Sequence, residues 1–299
     1  MSLRLQMLQI ARVAPKILGD SADLVRAFFT RQFSPTGGAI DRGGQPDLYY
    51  TIFALAGLQA MQSEDELKHQ ACSIKPWLAS FGDGAALDFV HLGALARCWA
   101  AVGLEDLPAN RVDAVLTRIE THRSCDGGYD ADINAESGNA YGCFVALGAY
   151  QDLGRELPDP LRMVQCLKLL ETPDGAWANA RGLKVGSTNA TAAAVTLLHQ
   201  LSMPVNQSVG DWLLAQAHPD GGFLAMPSAP MPDLLSTATT LHALSCLDRE
   251  VPPAIRERCL DFIDTLWNAE GGFHGHWADD HLDAEYTFYG LLALGHLSV

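Results

Sequence analysis

The chain has no run of eighteen apolar residues, the length that would predict a membrane-spanning helix. Its first residues mix Arg4, Arg12 and Lys16 with Leu and Ile, so the apolar core and cleavage site of a signal peptide are also missing. We therefore expect no membrane span, and a cytoplasmic location is the default expectation.

Positive charge is scarce. The 299 residues include 20 Lys and Arg against 35 Asp and Glu, which gives a formal net charge of −15. Such a chain repels phosphate backbones and anionic membrane surfaces, so nucleic acid is excluded as an expected partner. The same charge argues, more weakly, against a substrate that carries a diphosphate.

Paired cysteine motifs are absent as well. The seven cysteines are an odd number, contain no CxxC spacing and lie mostly in apolar helical runs. This pattern indicates reduced, buried thiols in a reducing compartment.

What the chain does contain is a repeated motif of two small residues, followed by an aromatic residue in four of its five copies. Its copies are Cys125-Asp126-Gly127-Gly128-Tyr129, Asp174-Gly175-Ala176-Trp177, Asp220-Gly221-Gly222-Phe223 and Glu270-Gly271-Gly272-Phe273, with a first copy at Thr36-Gly37-Gly38-Ala39. Successive copies after the second unit lie 46 to 50 residues apart. A fixed period of this length indicates a repeat architecture, and glycine supplies the positive φ that a reversing turn needs.

Polar-faced and almost wholly apolar helical patterns alternate between these turns. The polar-faced outer helices are predicted to start near Ser21, Glu64, Asn110, Pro158, Val205 and Pro252. The apolar inner helices are predicted to follow Asp47, Asp88, Glu136, Ser187, Asp233 and Asp283. We predict an all-α fold, an α6/α6 toroid of six helical hairpins over residues 21–299, with a leader helix over residues 1–20. Closure of the ring is expected because an open array would leave the apolar inner helices in water.

The turns and the helices that follow them resemble those of the protein prenyltransferase β subunits and, more distantly, the terpene cyclases. The resemblance is carried by Gly221-Gly222-Phe223 with residues 232–236 and by Gly271-Gly272-Phe273 with residues 283–291. It implies a closed α/α toroid that handles a hydrophobic isoprenoid in a central apolar cavity. It also implies a second protein subunit as a partner.

The resemblance further implies a catalytic zinc held by Asp, Cys and His, but only Asp233 matches. Leu235 stands at the Cys position and Tyr286 at the His position, so zinc is not expected at the usual family site. The positions that would clamp a prenyl diphosphate fall near Thr188, Met226 and Ala229, none of which is cationic. A transferase of this family would therefore have to depart from the zinc-thiolate mechanism.

A dense polar segment near the C-terminus offers an alternative metal site. The spacing Asp279-Asp280-His281-Leu282-Asp283 fits the magnesium-binding Asp-Asp-x-x-Asp string of other terpenoid enzymes. The candidate ligands are His276, Asp279, Asp280 and Asp283, with magnesium as the candidate ion. The alternative is a solvated acidic loop without a metal.

Asp233, Asp283 and Tyr286 are the candidate catalytic residues at the cavity mouth. Asp233 and Asp283 also stand where Asp47 and Asp88 begin their own helices, so both can instead be N-caps. Residues predicted to line the cavity are Tyr49, Phe53, Phe89, Tyr141, Phe144, His242 and Tyr289. Two functions remain open: a prenyltransferase-like or terpene-cyclase-like enzyme, and a non-catalytic toroid that binds an isoprenoid or a protein partner.

Overall fold

Alternating outer and inner helices make up the computed structural model, which describes residues 1–298. In chain order the helices are α1 (Leu3–Ala11), α2 (Pro15–Leu18), α3 (Ala22–Arg31), α4 (Leu48–Ala60), α5 (Glu64–Ser80), α6 (Phe89–Val102), α7 (Ala109–Thr121), α8 (Ala140–Asp152), α9 (Pro160–Leu169), α10 (Thr188–Gln200), α11 (Ser208–Leu214), α12 (Leu234–Cys246), α13 (Pro253–Thr265) and α14 (Ala284–Leu297). Two short antiparallel pairs, β1 (Ala39–Ile40) with β2 (Pro46–Asp47) and β3 (Trp267–Asn268) with β4 (Gly272–Phe273), flank the first and last inner helices.

The inner ring is closed. Each of α4, α6, α8, α10 and α12 packs against the next inner helix, and α14 packs against α4. The last turn also meets the first outer helix, because Arg31 Nη2 donates to the carbonyl of Glu270 at 2.8 Å. The predicted all-α toroid of six hairpins is thus confirmed. Among the described residues, none of the helices combines the length and apolar character needed to cross a bilayer.

Every inner helix begins at a polar side chain that accepts the backbone N–H three residues later. The caps are Asp47, Asp88, Asn139, Ser187, Asp233 and Asp283. Each such cap contributes about 1 kcal/mol of helix stability. In the third unit the start was expected after Glu136, but Asn139 is the cap, because its amide oxygen lies 2.7 Å from the Gly142 nitrogen.

A threonine four residues after the cap ties four of the turns to their inner helices. The Oγ1 atoms of these threonines donate to the carbonyl of the cap residue and accept the first N–H after the small-residue pair. The pairs are Ala39–Thr51, Trp177–Thr191, Phe223–Thr237 and Phe273–Thr287, with N···O distances of 2.7 to 3.2 Å. Each of these hydroxyls both donates and accepts a hydrogen bond, so it links the turn to the first turn of the inner helix.

The leader closes one end of the ring. Helix α1 packs on α4, α8 and α14, and the Leu3 N–H donates to Gln151 Oε1 at 2.8 Å. Arg4 Nε lies 3.1 Å from Asp152 Oδ1. A β-carbon on Gly295 would sit 2.2 Å from the Ile10 carbonyl oxygen, so the glycine permits this close approach. The leader packs at the end opposite the N-caps, because its partners lie near the C-termini of the inner helices.

Candidate functional site

The ring of inner helices encloses a cavity of about 350 Å³. Its wall is mostly apolar and aromatic, and six of the residues predicted to line it do so. These are Tyr49, Phe53, Tyr141, Phe144, His242 and Tyr289. The rings of Phe53 and Tyr289 have centroids 5.5 Å apart, and those of Tyr49 and Phe53 are 5.1 Å apart in an edge-to-face arrangement. Part of the wall is therefore a connected aromatic surface.

Phe89 lies outside this wall, contrary to expectation. Its side chain is 2% exposed, and its ring stacks on His122 with centroids 4.7 Å apart. The cavity face of α6 consists of Val90, Gly93, Ala94 and Arg97, which follow the helical spacing. Phe89 precedes that stripe by one residue and consequently turns into the core between hairpins.

Glu285 is the carboxyl group in the cavity wall. The Tyr49 hydroxyl donates a hydrogen bond to Glu285 Oε1 at 2.6 Å. Burial, reinforced by the nearby Asp283 charge, raises the pKa of Glu285 to about 7 although the Tyr49 hydrogen bond and Arg42 oppose the rise. At neutral pH a large fraction of this carboxyl group therefore carries a proton.

Glu285 is not among the site residues expected from the sequence. A usable signal existed, because Glu285 and Tyr289 are four residues apart and share one face of α14. Tyr289 was expected to face the cavity, and the same periodicity places Glu285 there.

Thr239 and Arg97 of the wall have hydrogen-bond partners. Thr239 Oγ1 donates to Asn189 Oδ1 at 3.1 Å. Arg97 Nε donates to Asp152 Oδ2 at 3.2 Å, and the same carboxylate is bound by Arg4 of the leader. The cavity thus offers an ionisable carboxyl near the N-cap end and one guanidinium that already has an anionic partner.

The three candidate catalytic residues lie beside the cavity rather than in its wall. Asp233 caps α12 and accepts both the backbone N–H and the hydroxyl of Ser236 at 2.7 Å. Burial raises the pKa of Asp233. Asp283 caps α14 and lies 2.7 Å from Arg42 Nη2, while Arg42 also lies over the Tyr286 ring, 5.5 Å from its centroid. A catalytic role for these residues stays a prediction.

The acidic segment is organised around a cation that the sequence interpretation did not include. Arg42, from the loop between β1 and β2, places Nη2 2.9 Å from Asp279 Oδ2 and Nε 2.8 Å from Asp283 Oδ2. Asp280 is exposed, and His276 Nδ1 accepts the N–H of Ala278. Within residues 1–298 no three metal-binding side chains are grouped to hold an ion. The four candidate ligands are therefore not assembled, because a guanidinium lies between two of the carboxylates.

Replacing Arg42 by Gln should destabilise the protein by about 1–2 kcal/mol at neutral pH, because two largely buried carboxylates would lose their cation. Hydrogen bonds and Arg42 keep the pKa of Asp279 below its ordinary value, so this stabilisation is present above about pH 4 and is lost as pH falls through the folded pKa. Urea unfolding at several pH values measures it.

The matched control for that substitution is Arg155→Gln. Arg155 pairs with Asp113 at 3.4 Å, but both side chains are about half exposed. Its loss should change the stability by less than about 0.5 kcal/mol. Equal effects of the two substitutions would show that the Arg42 cluster adds nothing beyond an ordinary surface ion pair.

The fold and the site together define a closed α/α toroid with an apolar central cavity. The sequence matches the prenyltransferase alpha-alpha toroid domain over residues 6–79 and 187–298, which together span more than half of the chain. The chain belongs to this family. No curated protein sequence matches it.

Solved structures share the architecture at low sequence identity. Candida albicans protein geranylgeranyltransferase-I complexed with GGPP has a TM-score of 0.69 at 14% identity, over 93% of this chain and 90% of that one. The type II terpene cyclase MstE from Scytonema has a TM-score of 0.61 at 14% identity, over 94% of this chain and 97% of that one. An α-1,6-mannanase of Salegentibacter sp. has a TM-score of 0.56 at 12% identity, over 94% of this chain and 98% of that one. Chains with different chemistry thus share this fold, so the site has to indicate the function.

The residues at the family's zinc position do not fit the metal. Leu235 lies in the cavity wall, Tyr286 packs under Arg42, and Asp233 is bonded to Ser236. Leu235 and Tyr286 offer neither a thiolate nor an imidazole at the two positions where the family's zinc needs them, so we derive no step through zinc. Thr188, at a diphosphate-clamp position, donates its hydroxyl to the Leu224 carbonyl and supplies no charge.

Proposed function

We propose that the protein binds an uncharged isoprenoid chain in its central cavity and acts on it with Glu285 as a general acid. This is chemistry of the terpene cyclase kind rather than zinc-dependent prenyl transfer. The observation that carries the proposal is the combination of an apolar, aromatic cavity with one carboxyl group whose pKa burial raises to about 7, so that about half of it is protonated at neutral pH.

The cavity suits such a chain in size and chemistry. Its volume of about 350 Å³ lies within the range of about 300–1,000 Å³ that small-molecule sites occupy. The rings of Tyr49, Phe53, Phe288 and Tyr289 line it, and aromatic faces stabilise cationic charge that develops on a substrate. The ligands bound in two of the similar structures, GGPP and geranylgeranyl dihydroxybenzoate, carry isoprenoid chains, which supports a similar occupant here.

The chemical step uses the Glu285–Tyr49 pair. The O–H bond of the Glu285 carboxyl breaks and its proton passes to a double bond of the substrate. The π electrons of that double bond form the new C–H bond, and the other alkene carbon becomes a carbocation. Glu285 becomes a carboxylate, and the Tyr49 hydroxyl at 2.6 Å hydrogen-bonds to it. A general acid works best when its pKa lies near the working pH, which is where burial places this group.

Binding of geranylgeraniol and of geranylgeranyl diphosphate separates this proposal from prenyl transfer. We expect the alcohol to bind at least about tenfold more tightly, because the diphosphate would be buried without a free cation. Ala193 lines the cavity, so Ala193→Trp should fill it and weaken binding of the alcohol by about tenfold or more.

Ala86→Trp is the control for that experiment, because Ala86 is exposed and lies outside the cavity wall. Isothermal titration of the purified variants and mass spectrometry of co-purifying lipid supply the readouts. Tighter binding of the diphosphate, or equal binding by Ala193→Trp and wild type, would contradict the proposal.

A further inference from the structure

We propose that the closed end of the cavity binds a hydroxyl group on the far terminus of the isoprenoid, through the imidazole of His242. The inference rests on the proposed function and narrows its substrate class. The ligand would be an isoprenoid that is oxygenated at the end opposite to the group held near Glu285.

His242 has one ring nitrogen engaged and one free of protein partners. Its side chain is 2% exposed and lines the cavity. Nδ1 lies 3.1 Å from Nε2 of His296 on α14, whereas Nε2 has no hydrogen-bond partner within the described part of the chain. Leaving a buried polar atom unpaired costs about 1–3 kcal/mol, which a ligand group with matching polarity would recover.

Both imidazoles are neutral at pH 7. Burial lowers the pKa of His242 to about 4, with a further contribution from His199, and lowers that of His296 to about 3. In a neutral pair one ring donates to the other, so His242 Nε2 is either an N–H donor or a lone-pair acceptor. A hydroxyl group satisfies both forms, whereas a carboxylate satisfies only the donor form.

The position of His242 on its helix places it far from Glu285. Leu235 and Glu285 are each the second residue of their inner helix, and both line the cavity. His242 follows Leu235 by seven residues, which corresponds to about 10 Å along the helix axis. Met7 of the leader also lines the cavity, and the Gly295 backbone beside His296 touches the leader. His242 therefore belongs to the closed end.

Two threonines of the wall between these ends already donate hydrogen bonds. Thr239 and Asn189 bond to each other, and Thr196 Oγ1 donates to the Ala192 carbonyl at 2.8 Å. The wall thus holds the Glu285 carboxyl near one end and His242, whose Nε2 has no hydrogen-bond partner in the described part of the chain, at the other. This arrangement complements a chain with polar groups at both termini.

The test compares farnesol with farnesol hydroxylated at its far terminus. We expect wild type to bind the diol about tenfold more tightly than farnesol, the fold-change that one net hydrogen bond supplies. His242→Leu should abolish this preference without weakening the binding of farnesol itself. Thr196→Val is the matched control, because Thr196 and His242 are both the ninth residue of their inner helices and both line the cavity; it should keep the preference.

The possible outcomes separate this inference from the proposed function. Equal binding of the two ligands by wild type overturns the inference and leaves isoprenoid binding intact. A preference that persists in His242→Leu also overturns it. If neither alcohol binds wild type, the proposed function fails and the inference fails with it. The wild-type ratio decides the question even where the Leu variant does not fold.

Discussion

Glu285→Gln is expected to make the protein more stable relative to wild type as pH rises, by about 3 kcal/mol in all. The pKa of Glu285 is raised from an ordinary value of 4.5 to about 7 in the folded protein. Below pH 4.5 the carboxyl is protonated in both the folded and unfolded states, and its contribution to stability is fully present. As pH rises through 7 the unfolded state has already ionised, and that contribution is lost. Glutamine stays neutral throughout and still accepts the Tyr49 hydrogen bond.

Urea unfolding of both proteins from about pH 4.5 to about pH 8 measures the difference in unfolding free energy. Glu136→Gln is the control, because Glu136 is exposed and its substitution should give a curve parallel to that of wild type. If Glu285→Gln also ran parallel to wild type, the carboxyl would not be buried in its protonated form. Its assignment as the general acid would then lose its physical basis.

Gly221→Ala is expected to destabilise the protein by about 4 kcal/mol, more than the same substitution at Gly175. Gly221 has a φ of +98°, and an added β-carbon would lie 2.0 Å from the backbone carbonyl oxygen of Arg258. The unfavourable φ costs about 1–2 kcal/mol, and the clash adds about 1–3 kcal/mol because a backbone atom has to move. The Arg258 carbonyl belongs to α13, so the strain falls on the contact between neighbouring hairpins.

Gly175→Ala is the matched control at the same place in the preceding repeat. Gly175 has a φ of +84° and no atom within 4 Å of an added β-carbon. It should therefore cost only the conformational part, about 1–2 kcal/mol. Chemical denaturation of the two variants gives the comparison. Equal losses would show that the Gly221 turn is not pressed against α13 in solution.

Much of the architecture could be predicted from the sequence because its structural unit repeats. The apolar inner helices, their capping residues and the glycine turns recur at nearly equal spacing, and each copy supports the interpretation of the others. Closure was an expectation from the sequence, since helices that are apolar on nearly every face favour neighbours on all sides, and the packing of α14 on α4 established it. The predicted helix boundaries were less accurate where the capping residue departed from the pattern, as at Asn139.

The site was less accessible to sequence reasoning because its properties depend on distant partners. Arg42 neutralises Asp279 and Asp283 across about 240 residues, and no local pattern connects them. The pKa of Glu285 depends on burial and on Tyr49 from another repeat. Phe89 shows the same limit, since a single position on a helix decides whether a ring faces the cavity or the core.

The amino-acid sequence by itself determined the repeated hairpin and the absence of the usual zinc ligands at Leu235 and Tyr286. Local periodicity, capping chemistry and residue type are sufficient for each of these. Only the tertiary structure decided that Glu285 is a cavity carboxyl with a raised pKa and that His242 Nε2 has no partner within residues 1–298. Burial and hydrogen-bond partners arise when residues far apart in the chain pack together, and they set both protonation and polarity.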